Sequence, residues 1–394
     1  MFRPLLSCLL VLAAFAPAPA SAADPRAAKS AVPARTAPPP DQGEIAGARY
    51  AIARPVNWNG RLLLIAHGQR PESAPLSADL LPLRPAYQAL FDQGWMIALT
   101  SYRRNGMIIA DAVADVDALR NYIEQTYGRP DRVLLEGESM GGLIVTLIAE
   151  RTPDLDARGR PLYSGAVAIG ASLSAHEANN TVGLSLQPKM PVIFLATLNE
   201  LEGPARYVQA RVPHDVVDVR PVLFRIARDG HVNVNQRERL ATLNALNTWL
   251  DAGPAALPHP ASGEAYFDAT VPPEPRPSMV TAQSDGRGFT ARVEEIAADY
   301  GNVVLNAQPG DFAAAGIRPM TWFQLKAGAK TYRVRYGHDF DSVKRGEWVA
   351  FPNGDGLTLL ARNLGDAAGT ASLGRGDAVV LRRYDEPQAE TAAP

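Results

Sequence analysis

The sequence predicts two folded units: a three-layer α/β domain with a mostly parallel sheet, then a small all-β barrel or sandwich. Three observations lead there. Apolar runs alternate with helical patterns over roughly 200 residues, from Glu44 to Ala252, as a parallel sheet covered on both faces requires. One of these runs meets a helical pattern at Gly137-Glu138-Ser139-Met140-Gly141, a serine set between glycines. Beyond a Pro-rich segment the apolar period falls to two, the spacing of strands with one buried face. The expected organisation is 1–22 signal peptide, 23–43 leader, 44–252 α/β domain, 253–287 linker, 288–388 β-domain and 389–394 tail.

In chain order, Glu44 to Pro55 contains a short alternating segment, which predicts an edge strand. Arg61 to Ala66 is apolar throughout, as a strand buried on both faces should be, and ends in His67-Gly68-Gln69. A Pro-rich loop leads to a helix over Arg84 to Gln93, stopped by Gly94, and Trp95 to Thr100 is another buried strand. A helix over Asp111 to Tyr127 puts Val113, Val116, Leu119 and Ile123 on one face. After the Ser139 strand and helix come strands at Gly165 to Ile169, Pro191 to Thr197 and Val222 to Ala227. The last helix, about Gln236 to Leu250, carries Leu240, Leu243, Leu246 and Leu250 on one stripe. Ligands in such sheets sit beyond the carboxyl ends of the strands. Gln69, Ser139, the Asn199-Glu200 loop and His231 all follow strands, so they are expected to converge at one edge.

A G-x-S-x-G pattern alone is weak, since chance supplies it in roughly one chain in ten of this length. Its setting, with the apolar run Val133 to Leu135 before it and a helix after it, is what gives it force. Such a turn exposes the serine hydroxyl, and the helix start behind it offers free N–H groups and a positive dipole end to a developing oxyanion.

These residues resemble the α/β-hydrolase superfamily over about residues 44 to 252. The resemblance is carried by the His67-Gly68 turn, the Gly137 to Gly141 elbow, an acidic loop after the next-but-one strand, and Asp229-Gly230-His231 before the final helix. It implies a Ser139, Glu200, His231 order of nucleophile, acid and base. Five histidines compete with His231: His67 belongs to the oxyanion-side turn, His176 and His214 lie in loops, and His259 and His338 fall outside the first domain. In the acidic loop many relatives have an Asp where Glu200 stands. Glu202 is the alternative, with Asp215 and Asp218 behind it. The oxyanion donors implied are the N–H of Met140 and one from the His67-Gly68-Gln69 turn, Gln69 foremost. No cofactor and no metal is expected. Arg103, Arg104 and Asn105 follow a strand beside the expected site and read either as contacts to a polar substrate or, more simply, as solvated loop residues. Ala171 to Met190, with Asn179, Asn180 and Lys189, stands where this superfamily inserts a lid; it is short, which predicts an open, shallow pocket.

Composition bounds the partners. The chain has 394 residues, 46% of them hydrophobic, and a formal net charge of −2, which gives no electrostatic case for nucleic acid. Arg3, the apolar stretch Leu5 to Phe15 and Ala20-Ser21-Ala22 read as a secretory signal with a small-x-small cleavage site. The apolar stretch is too short to span a bilayer. Cys8 is the only cysteine and precedes the cleavage site, so the mature chain is expected to have no thiol nucleophile, no cysteine metal site and no stable membrane anchor. The Ala- and Pro-rich leader reads as disordered.

In the second unit Tyr332, Val334 and Tyr336 alternate with Arg333 and Arg335, and Trp348 to Phe351 and Ala378 to Leu381 are short strands between Gly-rich turns. The residues Tyr300-Gly301-Asn302, Asn306, Asn353, Gly356-Leu357, Ala361, Asn363, Gly365, Ala367-Ala368 and Gly376-Asp377 resemble the C-terminal β-domain of the S-adenosylmethionine hydroxide adenosyltransferase and fluorinase family, over about 288 to 386. In that family the domain completes a nucleoside site against a different N-terminal domain. Here that partner domain is missing, Ala298 stands where an Asp is usual, and Gly354 where a Ser is usual. A barrel used for packing, oligomerisation or substrate presentation is the simpler expectation.

The combined reading is an exported, periplasmic or secreted serine hydrolase that cleaves a carboxylic ester through an acyl-enzyme, its partner being a small-molecule or peptide substrate. A serine peptidase of the same fold is the nearest alternative. A binding protein, in which the β-domain takes the ligand and the first domain is inert, is the alternative from another class; the intact Ser139, His231 and oxyanion turn weigh against it.

Overall fold

The computed structural model describes residues 39–151, 155, 159–174, 183–210, 219–260, 264–297 and 301–384. The stretch read as a signal peptide, most of the stretch read as a leader and the stretch read as a tail lie outside these residues, as do His176, Asn179, Asn180, His214, Asp215, Asp218, Ala298 and Tyr300.

The first sheet begins with a hairpin, β1 (Asp41–Ile45) and β2 (Ala48–Ala53). The sequence suggested a single edge strand here; Ala46 and Gly47, both at positive φ, turn the chain back on itself instead. Then follow β3 (Arg61–Ala66), α1 (Pro85–Asp92), β4 (Met96–Thr100), α2 (Ile109–Tyr127), β5 (Arg132–Glu138), α3 (Met140–Glu150), β6 (Gly165–Ile169), β7 (Val192–Thr197), α4 (Glu202–Gln209), β8 (Val222–Ile226) and α5 (Gln236–Ala252). A two-residue strand, β9 (Phe267–Asp268), comes from the segment read as linker and pairs with β8. The spatial order is β1-β2-β4-β3-β5-β6-β7-β8-β9. β1 and β2 are antiparallel to their neighbours, and every pairing from β4 to β9 is parallel.

The sheet is buried on both faces, and alternate residues of one strand serve different cores. Leu62 and Leu64 of β3 join the cluster with Val116, Leu119 and Ile123 of α2 and Ile144 of α3. Leu63 joins Tyr87 and Leu90 of α1 and Leu243, Leu246 and Trp249 of α5 on the other side. Helices α2, α3 and α4 therefore cover one face, and α1 and α5 the other.

The second sheet comprises β10 (Thr281–Ala282), β11 (Gly288–Ala297), β12 (Asn302–Leu305), β13 (Trp322–Ala327), β14 (Lys330–Tyr336), β15 (Trp348–Pro352), β16 (Thr358–Arg362) and β17 (Ala378–Arg383), with α6 (Pro309–Ala314) and α7 (Ala367–Ala371) between strands. A β11–β17 pairing closes seven of these strands into a barrel, with β10 laid on β11. Its interior is aromatic: Phe312 of α6 stands edge-on to Phe289 and Phe323 and stacks on Tyr336 at 4.3 Å.

Candidate functional site

Strand β5 delivers Ser139 to the open edge of the first sheet. The serine has φ 57 and ψ −117, a backbone conformation that costs free energy for any L-residue. Its neighbours make the turn possible. A Cβ on Gly137 would overlap the Gly141 carbonyl, and one on Gly141 would overlap the Ala66 carbonyl, so strand, turn and helix close up only with glycine at both positions. Ser139 N donates to Ile169 O at 2.9 Å, and Ser172 N donates to Ser139 O at 3.1 Å, which fixes the peptide planes on either side.

Three side chains meet in sequence. Ser139 Oγ lies 2.8 Å from Nε2 of His231, and Nδ1 of His231 lies 2.6 Å from Glu200 Oε1. This network assigns the Nδ1–H tautomer, with Nε2 as acceptor for the serine hydroxyl. Glu200 is itself held. Val232 N donates to Oε1 at 2.9 Å, and Thr197 Oγ1 donates to Oε2 at 2.7 Å. Glycine at 170 leaves room for the carboxylate, since a Cβ there would lie 2.6 Å from Oε1. Asn199 Oδ1 accepts from Gly230 N at 3.1 Å and so ties the acid loop to the histidine loop.

Burial disfavours the charged form of both partners, but their mutual contact outweighs it. The His231 imidazole is raised above its ordinary 6.5, because the Glu200 hydrogen bond and charge exceed the cost of desolvation. Glu200 is lowered below 4.5 despite burial, by His231, Thr197 and the Val232 amide. The acid is 11% exposed and the imidazole 45%, so the histidine faces the cleft while the acid is sheltered behind it.

Met140 opens α3, so its N–H has no acceptor within the helix. Gln69 lines the same cleft as Ser139 and His231. The turn before it is anchored by His67, whose Nδ1 lies 2.6 Å from Gly68 O and Nε2 3.1 Å from Ser101 O, while Tyr102 donates its hydroxyl to His67 O at 3.0 Å. Burial, then the charge of Arg70, push His67 down to about 3, so the ring stays neutral and donates to either the Gly68 or the Ser101 carbonyl. Behind the elbow, Arg239 of α5 pairs with both Glu136 and Glu138 of β5, and Arg84 pairs with Glu138 at 3.2 Å. Burial would raise Glu138, but the two guanidiniums hold it at about 2.

Other sequence candidates fall elsewhere. Glu202 is 83% exposed and pairs with Arg206 one helical turn on, away from His231. Arg103 pairs with buried Asp115 at 2.5 Å, Arg104 with Asp111 at 2.9 Å, and Asn105 Nδ2 donates to Ala74 O at 2.7 Å, so this trio secures its own loop. Among the described residues no group of three His, Cys, Asp or Glu could hold a metal, and no helix is long and apolar enough to cross a membrane. Sequence reasoning missed Thr197, though Thr197-Leu198-Asn199-Glu200 carries the spacing of a capping box and the structure forms one. It also missed the far wall of the cleft. This cavity of about 1500 Å³ is lined by Ser139 and His231 on one side and by barrel residues such as Phe340, Asp341, Arg345 and Asn353 on the other; no described residue of 171–190 lines it.

A mostly parallel sheet whose order runs 1-2-4-3-5-6-7-8-9, with the serine after β5, the acid after β7 and the histidine after β8, decides the architecture. The first domain has the α/β-hydrolase fold. In the second, residues 296–380 match the SAM hydroxide adenosyltransferase C-terminal domain, and the closed barrel spans that match. No curated protein matches the chain. Among solved structures, an uncharacterized conserved protein from Thermotoga maritima is 23% identical over 26% of this chain, with a TM-score of 0.25; the match spans 38% of that protein. A putative dienelactone hydrolase from Klebsiella pneumoniae is 14% identical, covering 54% of this chain and 98% of its own, TM-score 0.40. Esterase 2 of Thermogutta terrifontis is 14% identical, covering 55% and 95%, TM-score 0.41.

Proposed function

We propose that this α/β-hydrolase-fold chain is an exported serine hydrolase that cleaves a carboxylic ester through an acyl-enzyme on Ser139. The observation that carries the reading is the continuous contact from Ser139 Oγ through His231 to Glu200, at 2.8 and 2.6 Å. A serine hydroxyl is a weak nucleophile at neutral pH and needs an adjacent base. His231 takes the Ser139 proton as Oγ attacks the ester carbonyl, then returns it to the departing alkoxide. Glu200 holds the tautomer and stabilises the imidazolium. The tetrahedral oxyanion is received by the N–H groups of Met140 and Gln69; a donor of this kind contributes about 3 kcal/mol. Water then enters by the same steps and releases the acid. Export rests on the N-terminal sequence, which has the charged, apolar and small-residue regions of a signal peptide.

The size of the cleft supports a second reading. Pockets for drug-sized ligands run from about 300 to 1,000 Å³. A cavity of about 1500 Å³ fits a bulkier ester or a peptide, with an amine in place of the alcohol. The test is hydrolysis of short and medium p-nitrophenyl esters by the mature protein and its Ser139→Ala variant, with fluorophosphonate labelling of both. Turnover and labelling lost together in the variant support the ester reading. Labelling without ester turnover moves the peptide reading forward. A wild type that neither labels nor cleaves overturns both.

A further inference from the structure

A tight turn of the barrel, Asn353 to Leu357 between β15 and β16, lies against the first domain. This turn is internally braced: Asn353 Oδ1 accepts from Asp355 N at 3.1 Å and Leu357 N at 3.0 Å, and Asn353 N donates to Leu357 O at 2.7 Å. Its outer face lies on Val234-Asn235-Gln236, the residues that join His231 to α5. Gly354 sits so close that a Cβ would be 2.6 Å from both Asn235 N and the Val234 carbonyl carbon. Backbone atoms cannot swing away, so any side chain at 354 forces the two segments apart. The sequence resemblance leads one to expect Ser at this position; the docking explains why glycine stands there. Asp355 Oδ1 accepts from Gln236 N at 3.0 Å, which puts a carboxylate on the first turn of α5, where the helix dipole favours it.

The same loop is held from within. Val232, at φ 54, donates its N–H to Glu200, and Arg228 donates to Asn233 O at 2.7 Å. Asn233 Nδ2 donates to Asp229 O at 2.8 Å and approaches Pro352 O of β15 at 3.5 Å. His231 thus rides on a short, strained loop gripped from inside by the hydrolase domain and from outside by the barrel.

We propose that the Asn353–Leu357 turn is a clamp on the His231 loop, and that Gly354 and Asp355 are positioning residues for the hydrolytic centre. This rests on the serine-hydrolase reading above. The barrel is then part of the catalytic apparatus through this turn. A displacement of about 1 Å at the base is enough to slow chemistry about a hundredfold.

The test compares wild type with Asp355→Ala, Asp355→Asn and Gly354→Ser, using the full mature chain. Fluorophosphonate labelling rate, kcat and KM on a p-nitrophenyl ester, amide hydrogen exchange across 230–236 and thermal unfolding are recorded. Asp355→Ala should label roughly tenfold more slowly and Gly354→Ser about a hundredfold. The loss should fall on kcat with KM unchanged, and the Gln236 amide should exchange faster. Asp355→Asn keeps an acceptor oxygen and should restore both. A kcat loss without faster exchange, or one tracking global unfolding alone with no rescue by Asn, overturns the clamp, as do variants identical to wild type. A wild type that does not label at all overturns the hydrolase reading, and the positioning role with it.

Discussion

The two sheets handle their strand ends in opposite ways. The first is open, and the carboxyl ends of β5, β7 and β8 hand Ser139, Glu200 and His231 to one crevice. The second closes on itself through β11 and β17 and fills its interior with Phe289, Phe312, Phe323 and Tyr336. An open sheet keeps chemistry at its edge and accepts backbone strain there, at Ser139 and Val232. A filled barrel has no interior left for a ligand, so what it offers is its outside, here a wall of the cleft and the turn against Asn235. Fold stability and site chemistry are therefore separable to a degree, and substitutions in each region should show it.

The largest effect is expected at Ser139, the proposed nucleophile. Ser139→Ala should lower kcat about a million-fold and abolish fluorophosphonate labelling, with little change in thermal unfolding. Next, Glu200→Gln should cost roughly ten-thousandfold in kcat. It should also move the pH profile. On the serine-hydrolase proposal catalysis needs neutral His231, so wild-type activity should fall as pH drops through a midpoint above 6.5, the direction set by Glu200. Removing that charge leaves only the more distant Glu138 and Asp341 carboxylates to oppose burial, and the midpoint should move down. The sign for stability differs: the charged pair supports the fold between the lowered Glu200 and the raised His231 titrations, and is lost on either side, which urea midpoints measured across pH would show.

Gln69→Pro removes a backbone N–H rather than a side chain and should cost about 10²- to 10³-fold in kcat, while Gln69→Ala should cost much less. Phe312→Ala, at a fully buried residue in the barrel, should destabilise by about 3–5 kcal/mol, read as a lower urea midpoint. If the comparison holds, labelling at 15 °C below the new transition should persist, unless the turn at Asn353 loosens with the barrel. The smallest effect belongs to Glu202→Ala: its exposed pair with Arg206 is worth about 0.5 kcal/mol or less, and activity should not change. A large loss there, with Glu200→Gln mild, would exchange the two acids.

What could be read in the sequence follows from where each signal lies. The elbow, His231 and Glu200 each sit within a few residues of an apolar run, so local pattern is enough to find them. Strands β6, β7 and β8 are visible for the same reason, as buried runs with little polarity. The β1–β2 hairpin merged into one strand because Ala46-Gly47 is a weak turn signal beside Asn-Gly. Strand β9 was hidden in a Pro-rich stretch, where it is fixed by Arg225 pairing with Asp268 rather than by apolar pattern. Glu136 inside β5 is fully buried and is explained by Arg239 of α5 and the Tyr87 hydroxyl of α1, both far away in the sequence. The docking of Gly354 on Asn235 has no local period at all; a glycine in a loop reads as a turn residue until its neighbour is known.

The outer strands of the first sheet have a consequence for how this molecule behaves in a crowd. Closure relieves the barrel of free edges, but the open sheet has two, β1 and β9. β1 carries Asp41 and Glu44 on an exposed five-residue strand, and β9 is two residues long with Asp268 drawn into an ion pair. Short, acidic margins are poor templates for another chain's backbone. The first sheet is thus guarded against strand-to-strand association at both ends, while the crevice that holds Ser139 stays open.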